Sequence, residues 1–152
     1  MLFRALLAAK LQYDKGQADA AQASLGWVAD KAGEDEYRTI ARLRLAGLQL
    51  DAKQYDAALK TLDAATAKEF AALVADRRGD VLMAQGKKDE ARSAYQAAWK
   101  AMDPKIDYRR LVEAKLTALA APPAVAAPAA VTAPAAVTAP PAVVAAASGA
   151  AK

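Results

Sequence analysis

From Met1 to about Ala120 the apolar positions recur at steps of three and four, the 3.6-residue period of amphipathic helices packed on one side. The pattern predicts helices at 1–14, 18–32, 36–52, 55–66, 69–85, 88–101 and 106–119. Their breaks have local causes. Gly16 and Gly86 each follow a helical run and suit the left-handed residue just past a helix end. Gly33 is expected to close the second helix, and Glu34, Asp35 and Glu36 then set negative charge at the next N-terminus, where the helix dipole favours it. Asp103-Pro104 stops the sixth helix. Every connection is short, which makes sequential helices antiparallel neighbours.

The helices repeat. Ala9 to Val28, Ala46 to Ala65 and Gly79 to Ala98 superpose, with turns that begin at Gly16, Lys53 and Gly86. Each unit has a small residue on its first helix (Ala9, Ala46, Gly79) and another on its second (Ala21, Ala58, Ala91). A large residue follows the second (Leu25, Leu62, Tyr95). Small residues let the paired backbones approach, and the large one fills the gap to the next hairpin. The spacings of 37 and 33 residues between turns bracket the period of about 34 that marks tetratricopeptide repeats. The expected fold is therefore all-α: a tetratricopeptide-like stack of about three antiparallel hairpins over residues 1–120, with Lys105 to Leu119 as a capping helix.

In this register the first helix of each pair lines a concave surface. The residues it would expose there are Phe3, Lys10, Tyr13, Arg44, Asp76, Arg77, Asp80 and Met83. Mixed charge with a few apolar groups suits an extended protein segment better than a small metabolite. The plainer alternative for Asp76, Arg77 and Asp80 is a set of intrahelical ion pairs.

Composition narrows the chemistry. With no cysteine and no histidine, thiolate nucleophiles, disulfides and the commonest base and metal ligand are missing. Asp76 and Asp80 share a face, yet Arg77 and Arg78 stand beside them and no second ligand cluster exists. The serines have no base partner, and no glycine-rich phosphate loop is present. We expect no enzyme activity, cofactor, metal or small-molecule substrate. The net charge of +4 is spread over interspersed basic and acidic residues, with no Lys/Arg run longer than two, so a nucleic-acid partner is not expected either.

Residues 121–152 differ in kind: 16 Ala, 6 Pro and 5 Val, with one charge, at Lys152. The six-residue period APPAVA, APAAVT, APAAVT, APPAVV interrupts any helix with proline. A disordered Ala/Pro tail is expected. The opening MLFRALLAAK is too short and too charged for a membrane span and a poor signal peptide. Its helix begins at Met1 with no capping residue, which points to an N-terminally shortened chain. The open apolar edge of that helix would invite a homodimer.

The stretches IARLRLAGLQLDAKQYDAALKTLDAA (40–65) and ALVADRRGDVLMAQGKKDEARSAYQAA (72–98) resemble the tetratricopeptide ancillary subunit of the bacterial SecYEG translocon, the YfgM-type family. The segments AALKTLD (57–63), VADRRGDVL (74–82) and KDEARSAYQ (88–96) carry most of the likeness. The resemblance implies a helical domain on the periplasmic side of the inner membrane, without catalysis. Its implied partners are the translocon, a periplasmic prolyl-isomerase-type chaperone and exported clients. Family members carry a transmembrane helix that this sequence does not show, so the chain itself would be soluble. The alternative is a generic tetratricopeptide scaffold for an envelope or cytoplasmic assembly.

Overall fold

A computed structural model describes residues 2–120; the Ala/Pro tail expected at 121–152 lies outside them. Seven α-helices and no strand are found among the described residues: α1 Leu2–Asp14, α2 Ala18–Lys31, α3 Asp35–Asp51, α4 Tyr55–Asp63, α5 Ala71–Ala84, α6 Lys88–Ala101 and α7 Tyr108–Ala120. A short 3-10 turn, Lys68–Phe70, precedes α5. The chain forms three hairpins, α1/α2, α3/α4 and α5/α6, stacked in order, with α7 against α6.

The superposed positions have equal structural roles. Ala21, Ala58 and Ala91 are each 0% exposed, and Ala9, Ala46 and Gly79 are buried opposite them. Leu25, Leu62 and Tyr95 fill the space behind, all buried. Where that residue is largest, the facing one is smallest: a Cβ on Gly79 would overlap the Tyr95 ring. The hairpins then join through the outer faces of their helices. Ala41, Leu45 and Leu48 of α3 pack on Val28, Ala29 and Ala32 of the first hairpin, and Val112, Leu116 and Leu119 of α7 pack on Ala98 and Met102 of the third.

All three turns close in one way. The amides of Gly16, Lys53 and Gly86 donate to the carbonyls of Tyr13, Leu50 and Met83, and those of Gln17, Gln54 and Lys87 to Gln12, Gln49 and Leu82. These are the paired bonds of a Schellman cap, which needs a left-handed residue. Gly16 (φ 76°) and Gly86 (φ 79°) adopt it without a Cβ penalty, whereas Lys53 is forced to φ 59°. Beneath two of the turns a polar pair bridges the hairpin: Ser24 Oγ donates to Gln12 Oε1 and Thr61 Oγ1 to Gln49 Oε1, both at 2.8 Å. In the third hairpin Leu82 and Ala94 occupy those places, both buried.

Two expected boundaries are corrected. α4 stops at Asp63 rather than 66, because side chains of α3 draw the following backbone away from a helical path. Arg42 Nη1 donates to the Ala64 carbonyl (2.6 Å), Thr66 donates to Asp35, and the buried Thr39 hydroxyl accepts the Ala67 amide (3.2 Å). α2 stops at Lys31 rather than 32: Ala32, just before Gly33, leaves the helix in extended geometry (φ −62°, ψ 134°). The acidic start expected for the third helix is present as Asp35 and Glu36.

Two substitutions test this packing. Lys53→Gly is expected to raise stability by about 0.5–1 kcal/mol, the relief of left-handed strain less the added freedom of the unfolded chain. Gly79→Ala is expected to lower it by about 1–3 kcal/mol through overpacking, and adding Tyr95→Leu, which restores the Ala/Leu combination of the other hairpins, should recover part of that loss. Denaturant midpoints of the single and double variants measure both effects.

Candidate functional site

The first helices of the hairpins line one groove. Its larger recess, about 450 Å³, has a floor of Leu6, Leu25, Leu43 and Leu48 and walls that include Lys10, Tyr13, Arg44, Gly47, Asp51 and Arg77. A second recess of about 300 Å³ shares Leu43, Arg44 and Arg77 with it and adds Ile40, Phe70, Leu73, Asp76 and Tyr108. The Arg77 guanidinium lies over Gly47, 3.8 Å from the place a Cβ there would take, at ordinary van der Waals distance.

Of the eight residues expected on the concave face, Lys10, Tyr13, Arg44 and Arg77 come together in the larger recess, and Asp76 borders the second. Phe3 lies beyond both recesses, 76% exposed. Met83 is half-buried and packs against the third-hairpin core. Asp76 is a correction: it is only 2% exposed, because α7 covers it. Tyr108 donates to Asp76 Oδ2 at 2.7 Å, and Lys115 Nζ lies 2.8 Å from Oδ1. Asp80 is drawn into the same cluster, accepting from Lys115 (2.7 Å) and from the Tyr95 hydroxyl (2.8 Å). The carboxylates one turn apart on α5 thus share one lysine on α7. The intrahelical pairing of Arg77 with Asp80 is a looser contact at 4.0 Å.

Lys115 and Tyr108 were not singled out from the sequence. They stand 39 and 32 residues from Asp76, and nothing local links them. A signal was present nonetheless: Val112, Leu116 and Leu119 have the spacing of Ala41, Leu45 and Leu48, which sets Lys115 in register with Arg44. Two further bonds seat α7. Arg109 stacks over Trp99 (3.9 Å to the ring centre) while its Nε donates to the Trp99 carbonyl, and Arg92 donates to the Leu119 carbonyl.

The anions of the groove are engaged. Asp51 accepts the Tyr13 hydroxyl at 2.9 Å, a bond that holds the Tyr13 phenol above its ordinary pKa. Asp76 is held from α7. The cations are less committed. Lys10 pairs with Asp14 at 2.7 Å, but among the described residues the Arg44 guanidinium makes no hydrogen bond or ion pair, and Arg77 makes only its long contact to Asp80. The open groove is therefore apolar at its base and positive along its wall.

Burial, then the hydrogen bond to Asp76, pushes the Tyr108 phenol from 10.0 up to about 12; burial and the bond to Asp80 push Tyr95 upward as well. A phenol raised on folding supports the folded state fully below pH 10 and loses that support as the pH climbs toward 12. Ultraviolet titration of phenolate, with Tyr108→Phe as the reference, should therefore lose a step near pH 12 rather than near 10. In Asp76→Asn that step should move back toward 10.

The family described as tetratricopeptide repeat-like domain matches residues 2–121. Three curated relatives share the name ancillary SecYEG translocon subunit. The chain is 41% identical to that of Escherichia coli (strain K12) over 87 residues, 57% of the chain and 42% of the relative. It is 35% identical to that of Neisseria gonorrhoeae over 114 residues, 75% of the chain and 54% of the relative. For Haemophilus influenzae the identity is 31% over 97 residues, 64% and 48% respectively. The chain spans about half the length of these relatives.

Proposed function

The chain belongs to the tetratricopeptide repeat-like family, and from that premise we propose that its helical stack is a protein-binding module of the bacterial protein-export machinery. The observation that carries the binding half is the groove, where three successive first helices present an apolar floor beside the uncommitted Arg44 and the loosely held Arg77. A shape of that kind fits an extended chain, whose apolar side chains fill the recesses while its backbone and polar groups meet the walls. The export half rests on the relatives' shared name. In this reading the module works without catalysis on the periplasmic side of the inner membrane, beside the translocon, and assists newly exported clients together with a prolyl-isomerase-type chaperone. No helix among the described residues is long and apolar enough to cross a membrane, so attachment falls to a partner or to sequence outside them. The exposed row Phe3, Leu7 and Leu11 on α1 is the surface through which a homodimer would form.

The test is affinity purification from detergent-solubilised membranes of the bacterium that encodes the chain, with the protein at its natural length. Translocon subunits should copurify, and Ile40→Ser with Leu43→Ser, which strips apolar lining from the second recess and, at Leu43, from both, should reduce their recovery or that of exported clients about tenfold while the helical circular-dichroism signal is kept. Unchanged recovery of both would remove the groove from the binding surface. Reproducible partners drawn only from outside the export machinery would point instead to a scaffold of another assembly.

A further inference from the structure

One position of the repeat carries positive charge along the stack. Superposing the turns places Leu7, Arg44 and Arg77 at equivalent points on α1, α3 and α5. α7 extends the series, since Val112, Leu116 and Leu119 seat it on the third hairpin as Ala41, Leu45 and Leu48 seat α3 on the first. That register brings Lys115 into the column of Arg44 and Arg77.

The column shows what such a cation binds. Lys115 reaches back onto the preceding first helix and meets Asp76 and Asp80, 2.8 and 2.7 Å from its Nζ. The counterparts of those two carboxylates are Leu43 and Gly47 on α3, and Leu6 and Lys10 on α1. Arg77 reaches back in the same direction, its guanidinium against Gly47, and finds no carboxylate there. Arg44 shares the larger recess with Leu6, Lys10 and Asp51 and forms no ion pair there among the described residues. The last cation of the series is thus served from within the chain by two close carboxylates, whereas among the described residues Arg44 has no partner and Arg77 has only its 4.0 Å contact to Asp80.

A segment that fills the groove must deal with these two guanidiniums. Covering them without acceptors would strip their water and leave charged donors unsatisfied. Carboxylates would meet them with paired, charge-assisted bonds. Neither Asp51 nor Asp76 meets these guanidiniums in the structure: Asp51 accepts from Tyr13, and Asp76 is held by Tyr108 and Lys115. We propose that the groove selects extended segments that carry acidic side chains among apolar ones, with the carboxylates taking on Arg44 and Arg77 the place that Asp76 and Asp80 take on Lys115. Two arginines on successive repeats call for two carboxylates, which side chains supply and a single chain terminus does not. The proposal rests on the reading of the groove as a partner-binding surface, and goes beyond it in naming what the partner presents.

The experiment uses the full chain and three libraries of fluorescein-labelled, C-terminally amidated twelve-residue peptides. The libraries are built from Ala, Leu, Val and Gly, with two varied positions occupied by Glu, by Gln or by Lys. Anisotropy titration should rank Glu above Gln above Lys, with the best Glu peptides about tenfold tighter than their Gln counterparts, and about 0.5 M salt should shrink the gap. Arg44→Glu with Arg77→Glu should invert the order so that Lys peptides bind best; Arg44→Gln with Arg77→Gln should level it. Equal binding of the three libraries, lowered alike by Leu43→Ser, would overturn the charge selection and leave the groove reading standing. Absence of binding by every library would overturn both.

Discussion

Two helices of a hairpin approach closely only if neither puts a bulky side chain at their crossing, and this chain meets that condition three times. Ala9, Ala46 and Gly79 face Ala21, Ala58 and Ala91. Leu25, Leu62 and Tyr95 are buried as the large partners of these small residues, and the Tyr95 ring lies directly on Gly79. Because interiors pack at crystal-like density, the two sizes are coupled, and the one hairpin with an aromatic filler has glycine where the others have alanine. Everything downstream depends on this fit: it sets the rise from one hairpin to the next and hence the line along which α1, α3 and α5 present their open faces.

The end of the stack is closed by a different force. α7 buries Val112 against the third hairpin, but the bonds that place it are ionic and aromatic: Lys115 to two carboxylates, Tyr108 to one of them, Arg109 over Trp99. A carboxylate as buried as Asp76 is costly unless it is paired and hydrogen-bonded, and both its oxygens are. The same cluster removes acidic charge from the groove. What remains along the wall is the pair Arg44 and Arg77, and the electrostatic character of the groove follows from how the cap is fastened.

The helices were legible because the 3.6-residue period, the turn glycines and the proline stop are local properties. So was the repeat, since the same small and large residues return at near-constant spacing. Lys10, Tyr13, Arg44 and Arg77, which register assigns to one face, line the larger recess together. The early end of α4 was not legible: 64–66 reads as helix, and the bonds that divert the chain come from Asp35, Thr39 and Arg42. The strain at Lys53 was equally hidden, because the residue carries no turn signal and is held left-handed by the cap that the other two turns impose on glycine.

The sequence by itself determined an all-helical repeat, the order of its hairpins and the helices that line the groove, because periodicity and small-residue spacing act over a few turns of chain. Only the tertiary structure decided which charges that groove keeps. Asp76 and Arg77 are neighbours along the chain with the same nominal claim to the surface, yet one is sealed under α7 and the other is left in the open recess. The difference is made by a lysine 38 positions beyond Arg77, and an ion pair across that distance depends on how three hairpins stack, which no local pattern encodes.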